Sequence, residues 1–483
     1  MNQGGNNKYV VFGALAIGLF ASVVDHGSVI VALPSVAEDL VIELPSVQWV
    51  VIGYALTISA LLLPMGRLSD IVGLKKIYLL GSAIFALFAL VAGLATDLGI
   101  LIGARIAQGA GAAMTQGTGM AIVAASFPGN ERGKAMGLTM AVVSTGAIVG
   151  PALGGFLVDL FGWRSVFFVN IPLMALGIGL GLAVLSDRRE GEGSPGGPGG
   201  RGKLGFDWWG ATLSTGALLL FLLTITNAHR YGWGSPLIVG GLALFVALLV
   251  VFIWWELRSP SPMLNPRFFR RLIFSLGVSA GFLTFLGGSA IFFLTPFYLQ
   301  RVLGYSPTQA GLVVVPGAVC MLFLGPLSGR LSDRYGWRPF TVGGLALSAI
   351  SLFIFSRLTE TSSLTLVIPA LILQSCGMGL FYSPNVSSVL SSVERESYGV
   401  VSAFLNLVRN SGNVTSVAVA TAIVTATMGS MGYEPSLEAV QTGATAGVGH
   451  AFTVGLRYTY LGMTGLLLLA MVISAVRGGR PSP

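Results

Sequence analysis

Asp25 and Arg105 are ionisable side chains set deep within long apolar stretches of this chain. A charge in hydrocarbon costs about 2.5–3.5 kcal/mol or more, so such residues usually face a cavity or a partner and carry function. Asp25 lies 16 residues past Tyr9, which is about 24 Å along a helix and within the far third of a membrane core. A carboxyl there can take up and release a proton as its surroundings change. His26 is adjacent and can share that proton, although neighbouring helix positions diverge by about 100°. Arg105 can pair with a carboxylate or bind an anionic substrate directly, and Arg409 poses the same alternative on weaker grounds.

Other chemistries lack their residues. His26, His229 and His450 make no metal-ligand spacing, and Cys320 and Cys376 both fall inside apolar runs. No nucleophile–base cluster stands out, so the expectation is a protein that is not an enzyme and holds no metal or cofactor. A proton gradient would be its energy source. The net charge of +8 is not grouped into a nucleic-acid-binding stripe.

The elements that position these residues are membrane helices. With 54% hydrophobic and 10% charged residues, a soluble fold has no place to hide the apolar surface. Apolar runs of about 20 residues match a hydrocarbon core about 30 Å thick. Fourteen spans are predicted, near 9–33, 46–65, 77–96, 99–126, 135–158, 165–186, 208–227, 236–255, 272–298, 308–328, 339–357, 364–390, 399–428 and 452–476. Twenty of the 27 Lys and Arg fall in loops on one face and five on the other, which places both termini in the cytoplasm. The implied organisation is an N-terminal six-helix bundle (1–186), a flexible linker (187–206), two inserted helices with an inner connection (207–271), and a C-terminal six-helix bundle (272–483). The connection from Ser259 to Arg271 is expected to include a short amphipathic piece, and the loop near 429–449 a cover for the outer mouth.

An internal repeat supports two matched halves. Gly66-Arg67-Leu68-Ser69-Asp70-x-x-Gly73 returns as Gly329-Arg330-Leu331-Ser332-Asp333-x-x-Gly336. Each copy is expected to be a short inner loop whose carboxylate accepts backbone N–H groups or pairs with a basic residue, latching one face shut. Arg334 follows the second Asp, whereas the first copy has Ile71 there and must draw on Lys75 and Lys76. The small residues Gly146, Gly150, Pro151, Gly154 and Gly155 let neighbouring helices touch and bend. For the substrate cavity we single out Gln48, Tyr54, Gln116, Phe292, Phe293, Tyr382 and Asn385, aromatics with few amides that suit a greasy ligand.

These motifs resemble the major facilitator superfamily. Gly66-x-Leu68-x-Asp70-x-x-Gly73-x-Lys75 is similar to its signature loop, Leu101-x-x-x-Arg105-x-x-Gln108-Gly109 to its fourth-helix motif, and Gly146-x-x-x-Gly150-Pro151-x-x-Gly154-Gly155 to the fifth-helix motif of proton-driven exporters. Asp25 through Ala32-Leu33-Pro34, Trp163-Arg164, Phe167-Phe168-x-Asn170-x-Pro172 and Tyr298-Leu299-Gln300 resemble the fourteen-helix drug:proton antiporter branch. The resemblance implies proton coupling at Asp25 with Arg105 near the transfer, and a fifth helix that seals the outer side.

The expectation is an all-α, fourteen-span monomer of a bacterial-type inner membrane. It exports amphiphilic compounds, as in multidrug efflux, in exchange for protons by rocking between two open states. Its partners are a small amphiphile or lipid, protons and membrane lipids. Export of a lipid or lipid precursor is the nearest rival, with uptake of ions, a siderophore or another metabolite behind it. A channel would need a continuous polar pore, which two matched halves do not suggest.

Overall fold

An apolar run in hydrocarbon can satisfy its backbone polar groups only by hydrogen-bonding to itself, and a helix does this within one segment. The computed structural model describes residues 3–41, 44–47, 49–185, 206–232, 234–259, 262–305, 307–394, 397–433 and 447–477, and all regular structure among them is helical. Fourteen helices are long and apolar enough to cross a membrane. In chain order they are α1 (Gln3–Asp39), α2 (Trp49–Val72), α3 (Leu74–Gly93), α4 (Leu98–Ser126), α5 (Arg132–Phe161), α6 (Ser165–Phe168, continued as Asn170–Val184), α7 (Trp208–Tyr231) and α8 (Pro236–Arg258). The remainder are α9 (Leu272–Gly288, continued as Ala290–Phe297), α10 (Pro307–Tyr335), α11 (Arg338–Phe355), α12 (Leu364–Leu390), α13 (Tyr398–Ser430) and α14 (Val448–Val476).

Helices α1–α6 pack mainly on one another, and α9–α14 repeat the same neighbour relations: α1 lies on α5 and α6 as α9 lies on α13 and α14, and α4 lies on α2 and α3 as α12 lies on α10 and α11. The halves meet through α2 with α13 and α5 with α10. Helix α7 packs on α2 and α13, while α8 leans on α7 and turns an almost wholly exposed apolar surface outward. That surface needs lipid to cover it.

The repeated motif departs from expectation. It is not a loop: α2 continues through Asp70 to Val72 and α10 through Asp333 to Tyr335. The reversal is left to single glycines, Gly73 at φ 113° and Gly336 at φ 87°, a backbone region that favours glycine. The connection before α9 does form a short 3-10 turn, Pro266–Arg270, with Phe268 buried and Phe269 exposed. Most of the expected flexible linker and most of the expected covering loop lie outside the described residues.

Candidate functional site

Asp25 is fully buried inside the first half, where α1, α4 and α6 converge. Arg105 Nη1 donates to Asp25 Oδ2 at 2.7 Å and to Gln108 Oε1 at 2.7 Å, and Arg105 is itself 0% exposed. Asn170 Nδ2 donates to Asp25 Oδ1 at 2.8 Å, with Gln108 Nε2 at 3.3 Å from the same oxygen. The guanidinium also donates through Nε to the Val50 carbonyl and lies 4.0 Å over the Tyr54 ring. A buried ion pair is favoured when its remaining lone pairs and N–H groups are filled; here two amides fill the Asp25 carboxylate and the Tyr54 face covers Arg105, whose Nη2 has no hydrogen-bond partner. Three residues that sequence reasoning did not place at the site, Gln108, Asn170 and Val50, complete it. Gln108 and Asn170 carried a signal, being amides in apolar helices near an intramembrane charge.

A polar chain leads from this pair to a cavity. Tyr54, whose ring carries Arg105, shares a hydrogen bond of 3.1 Å with Ser22 Oγ, and Gln116 Nε2 donates to the same oxygen at 3.1 Å. Gln116 in turn accepts, through its backbone carbonyl, from Asn406 of the second half at 3.2 Å. Gln116, Asn406 and Arg409 line a void of about 550 Å³, counting its mouth, whose walls are otherwise mostly apolar: Phe12, Leu15 and Leu19 from α1, Met120 and Val123 from α4. His26 points away from Asp25, as the 100° offset requires: it is exposed and its ring stacks on Tyr54 at 6.3 Å. On α1 it continues the stripe of Phe12, Leu15, Leu19 and Ser22.

Below the cavity, on the face rich in Lys and Arg, the halves are latched twice. Asp70 accepts from the backbone N–H of Gly399 and Val400, each at 3.1 Å, at the start of α13. Asp333 accepts from Gly133 at 3.0 Å and Lys134 at 3.1 Å, at the start of α5. Each carboxylate thus satisfies orphan amides and meets the positive end of a helix from the opposite half. Backbones touch beside them: a Cβ on Gly66 would meet Gly399 and Ala403, one on Gly329 would meet Gly133, and one on Gly137 would meet Gly325. Arg132 adds a cation–π contact with Tyr398, 5.0 Å from the ring. These contacts hold the basic face closed. Asp333→Ala or Asp70→Ala should raise, by about tenfold, the rate at which a cavity cysteine is labelled from the basic face. Unchanged labelling in both variants would remove the latching role.

Several expected site residues sit elsewhere. At the first latch the Asp70 oxygens accept from backbone amides, with no ion pair to Lys75 among the described residues, and Arg334 is exposed and lies against the Tyr335 ring. Gly146, Gly150 and Gly154 face Val23, Val24 and Ser28 of α1, so the fifth-helix motif packs its own half together; Pro151 sits against Gly27, and Gly155 is in looser contact with Val31. Of the expected cavity set, Gln116 alone lines the void. Tyr54 is taken by Arg105 and Ser22. Tyr382 packs edge-on against Phe285, and Phe293 packs on Phe297. Phe292 is exposed beyond the void, and Asn385 donates to the Gly277 carbonyl and accepts from Arg477. Gln48 lies outside the described residues. The Trp163-Arg164 motif is structural: both donate to Asp39, and these hydrogen bonds, Trp163 first, hold the Asp39 carboxyl below its usual range.

The model of the Major Facilitator Superfamily matches residues 15–204 and 198–417 of the chain. The riboflavin transporter RibZ of Clostridioides difficile (strain 630) is 33% identical over 403 residues, covering 83% of this chain and 85% of that protein. The multidrug resistance protein Stp of Mycobacterium tuberculosis (strain CDC 1551 / Oshkosh) is 32% identical over 428 residues, covering 88% and 77%. The human organic anion transporter MFSD10 (TETRAN) superposes with a TM-score of 0.65 over 98% of this chain and 100% of that one, at 16% identity, a likeness of fold alone.

Proposed function

The chain belongs to the major facilitator superfamily as a multi-pass efflux transporter, and from that premise we propose that it exchanges inward-moving protons for outward-moving amphiphiles. The observation that carries this reading is the buried Asp25–Arg105 pair, tied through Tyr54 and Ser22 to a wall of the cavity. While Asp25 is ionised, it accepts from Arg105, Asn170 and Gln108 and holds Arg105 in place. Protonation removes the charge that holds Arg105, loosening its grip on Asp25 and disturbing Tyr54 beneath it. Gln116 then feels the change at the cavity, and Asn406 carries it to the second half. The proton arrives from the side where His26 is exposed.

The basic face is cytoplasmic in this reading, so the structure is closed inward and the membrane is a bacterial-type inner membrane with both termini inside. Cargo loads when the Asp70 and Asp333 latches release. A proton falling through about one pH unit releases ~1.4 kcal/mol, and about 100 mV of membrane potential adds ~2.3 kcal/mol. Together these support roughly a 500-fold gradient of a neutral cargo exchanged one for one. The cavity's mostly apolar wall with few amides favours amphiphiles, drug-like or lipid, over sugars or free ions.

The test is efflux of a fluorescent amphiphile from proteoliposomes under an imposed pH gradient, with internal pH followed by a second dye. Antiport predicts that efflux and proton entry rise together and that both stop with an ionophore. Efflux indifferent to the gradient would overturn the proposal.

A further inference from the structure

Arg409 is the one charged side chain in the wall of the central cavity, and among the described residues it makes no hydrogen bond, ion pair or ring contact. It stands 11 residues into α13 from Tyr398, about 16 Å from the basic face and near mid-membrane. Ionisable residues at this depth ordinarily pair with one another or with carbonyls. The contrast within this chain is direct. Arg105, also within a span, has a carboxylate, an amide and a carbonyl, and Arg477 has Asn385, Ser388 and the Ile273 carbonyl. Arg409 has cavity space instead, and no carboxylate lines that space.

We infer that Arg409 is the headgroup site of the cavity and that the cargo is an amphiphilic anion carrying a carboxylate, phosphate or sulfonate. A guanidinium presents a planar fork that pairs bidentately with such groups. Gln116 and Asn406 stand beside it as polar neighbours, and Phe12, Leu15 and Met120 receive the apolar body. The same arrangement disfavours a cationic amphiphile, whose charge would be buried beside a like charge with no acid to offset it. This names the cargo class within the efflux reading above and rests on that cavity being the transport site.

The experiment uses full-length protein in neutral phosphatidylcholine nanodiscs, with Cys320→Ala and Cys376→Ala removing the native thiols. Gly119→Cys supplies a reporter on the cavity wall, where an added side chain has open space. Protection of that cysteine from N-ethylmaleimide is titrated with 1-pyrenebutyrate, with its neutral primary amide and with ethidium. The carboxylate should protect at about tenfold lower concentration than the amide. Arg409→Gln should erase that difference, Arg409→Lys should keep most of it, and protection by the amide should not change. Equal protection by acid and amide in the parent protein, or better protection by ethidium, overturns the inference without any Arg409 variant needing to fold. An acid preference that survives Arg409→Gln also overturns it. If the acid preference holds but a pH gradient drives no efflux of pyrenebutyrate from vesicles, proton-driven export falls and the anion site stands. Gradient-driven efflux of ethidium without an acid preference gives the reverse.

Discussion

Asp25→Asn should reduce the cargo gradient sustained by an imposed proton gradient from a ceiling of roughly 500-fold to about 1, with downhill exchange of cargo surviving. The substitution keeps shape and removes the carboxyl from the knot of α1, α4 and α6. An amide at this position can still accept from Arg105 through its oxygen, but its NH2 then faces the NH2 groups of Asn170 and Gln108, which donate to Asp25 at 2.8 and 3.3 Å. Breaking a buried pair by removing one partner costs about 3–5 kcal/mol in a soluble core, so thermal stability in detergent should fall as well. Uphill transport and downhill counterflow separate the two effects. A misfolded protein loses both, whereas an uncoupled one loses only the first. Full gradient-driven accumulation by Asp25→Asn, with unaltered proton uptake, would remove Asp25 from coupling.

Gly329→Leu should hold the basic face open and stop turnover. A Cβ on Gly329 would collide with the Gly133 carbonyl, which is backbone and has no rotamer to escape into. Helices α5 and α10 approach this closely at two levels, Gly133 with Gly329 and Gly137 with Gly325. Overpacking a close contact costs about 1–3 kcal/mol, which shifts a two-state equilibrium about 5–150-fold. A cysteine at Gly119 should therefore label that much faster with an impermeant maleimide applied from the basic face, and proton-driven efflux should be lost. Unchanged labelling together with normal efflux would mean that this contact is not the gate.

The length and number of the spans were legible in the chain because hydrocarbon thickness sets them, and the structure keeps all fourteen with shifted ends. The shifts have one cause. Hydropathy falls where Arg67, Asp70, Arg330 and Asp333 begin, but backbone hydrogen bonding continues to Val72 and Tyr335 because polar residues at the membrane surface extend a helix without cost. The internal repeat also announced both latching carboxylates. It left their acceptors open, since a bare motif does not show whether an amide or a basic side chain will reach it first.

Residue types alone therefore determined a two-fold membrane bundle, the depth of Asp25 and Arg105, and the two acids at its basic face. The tertiary structure decided which way each side chain turns. Asp25 and His26 are neighbours in sequence, yet one is sealed against Arg105 and the other is exposed above Tyr54. Tyr382 and Asn385 have suitable chemistry for a cavity but face Phe285 and Arg477, while Arg409 opens into one. The physical reason is rotational phase: a helix buried on most sides has no strong polar face in its sequence, so its rotation is set by the helices against it.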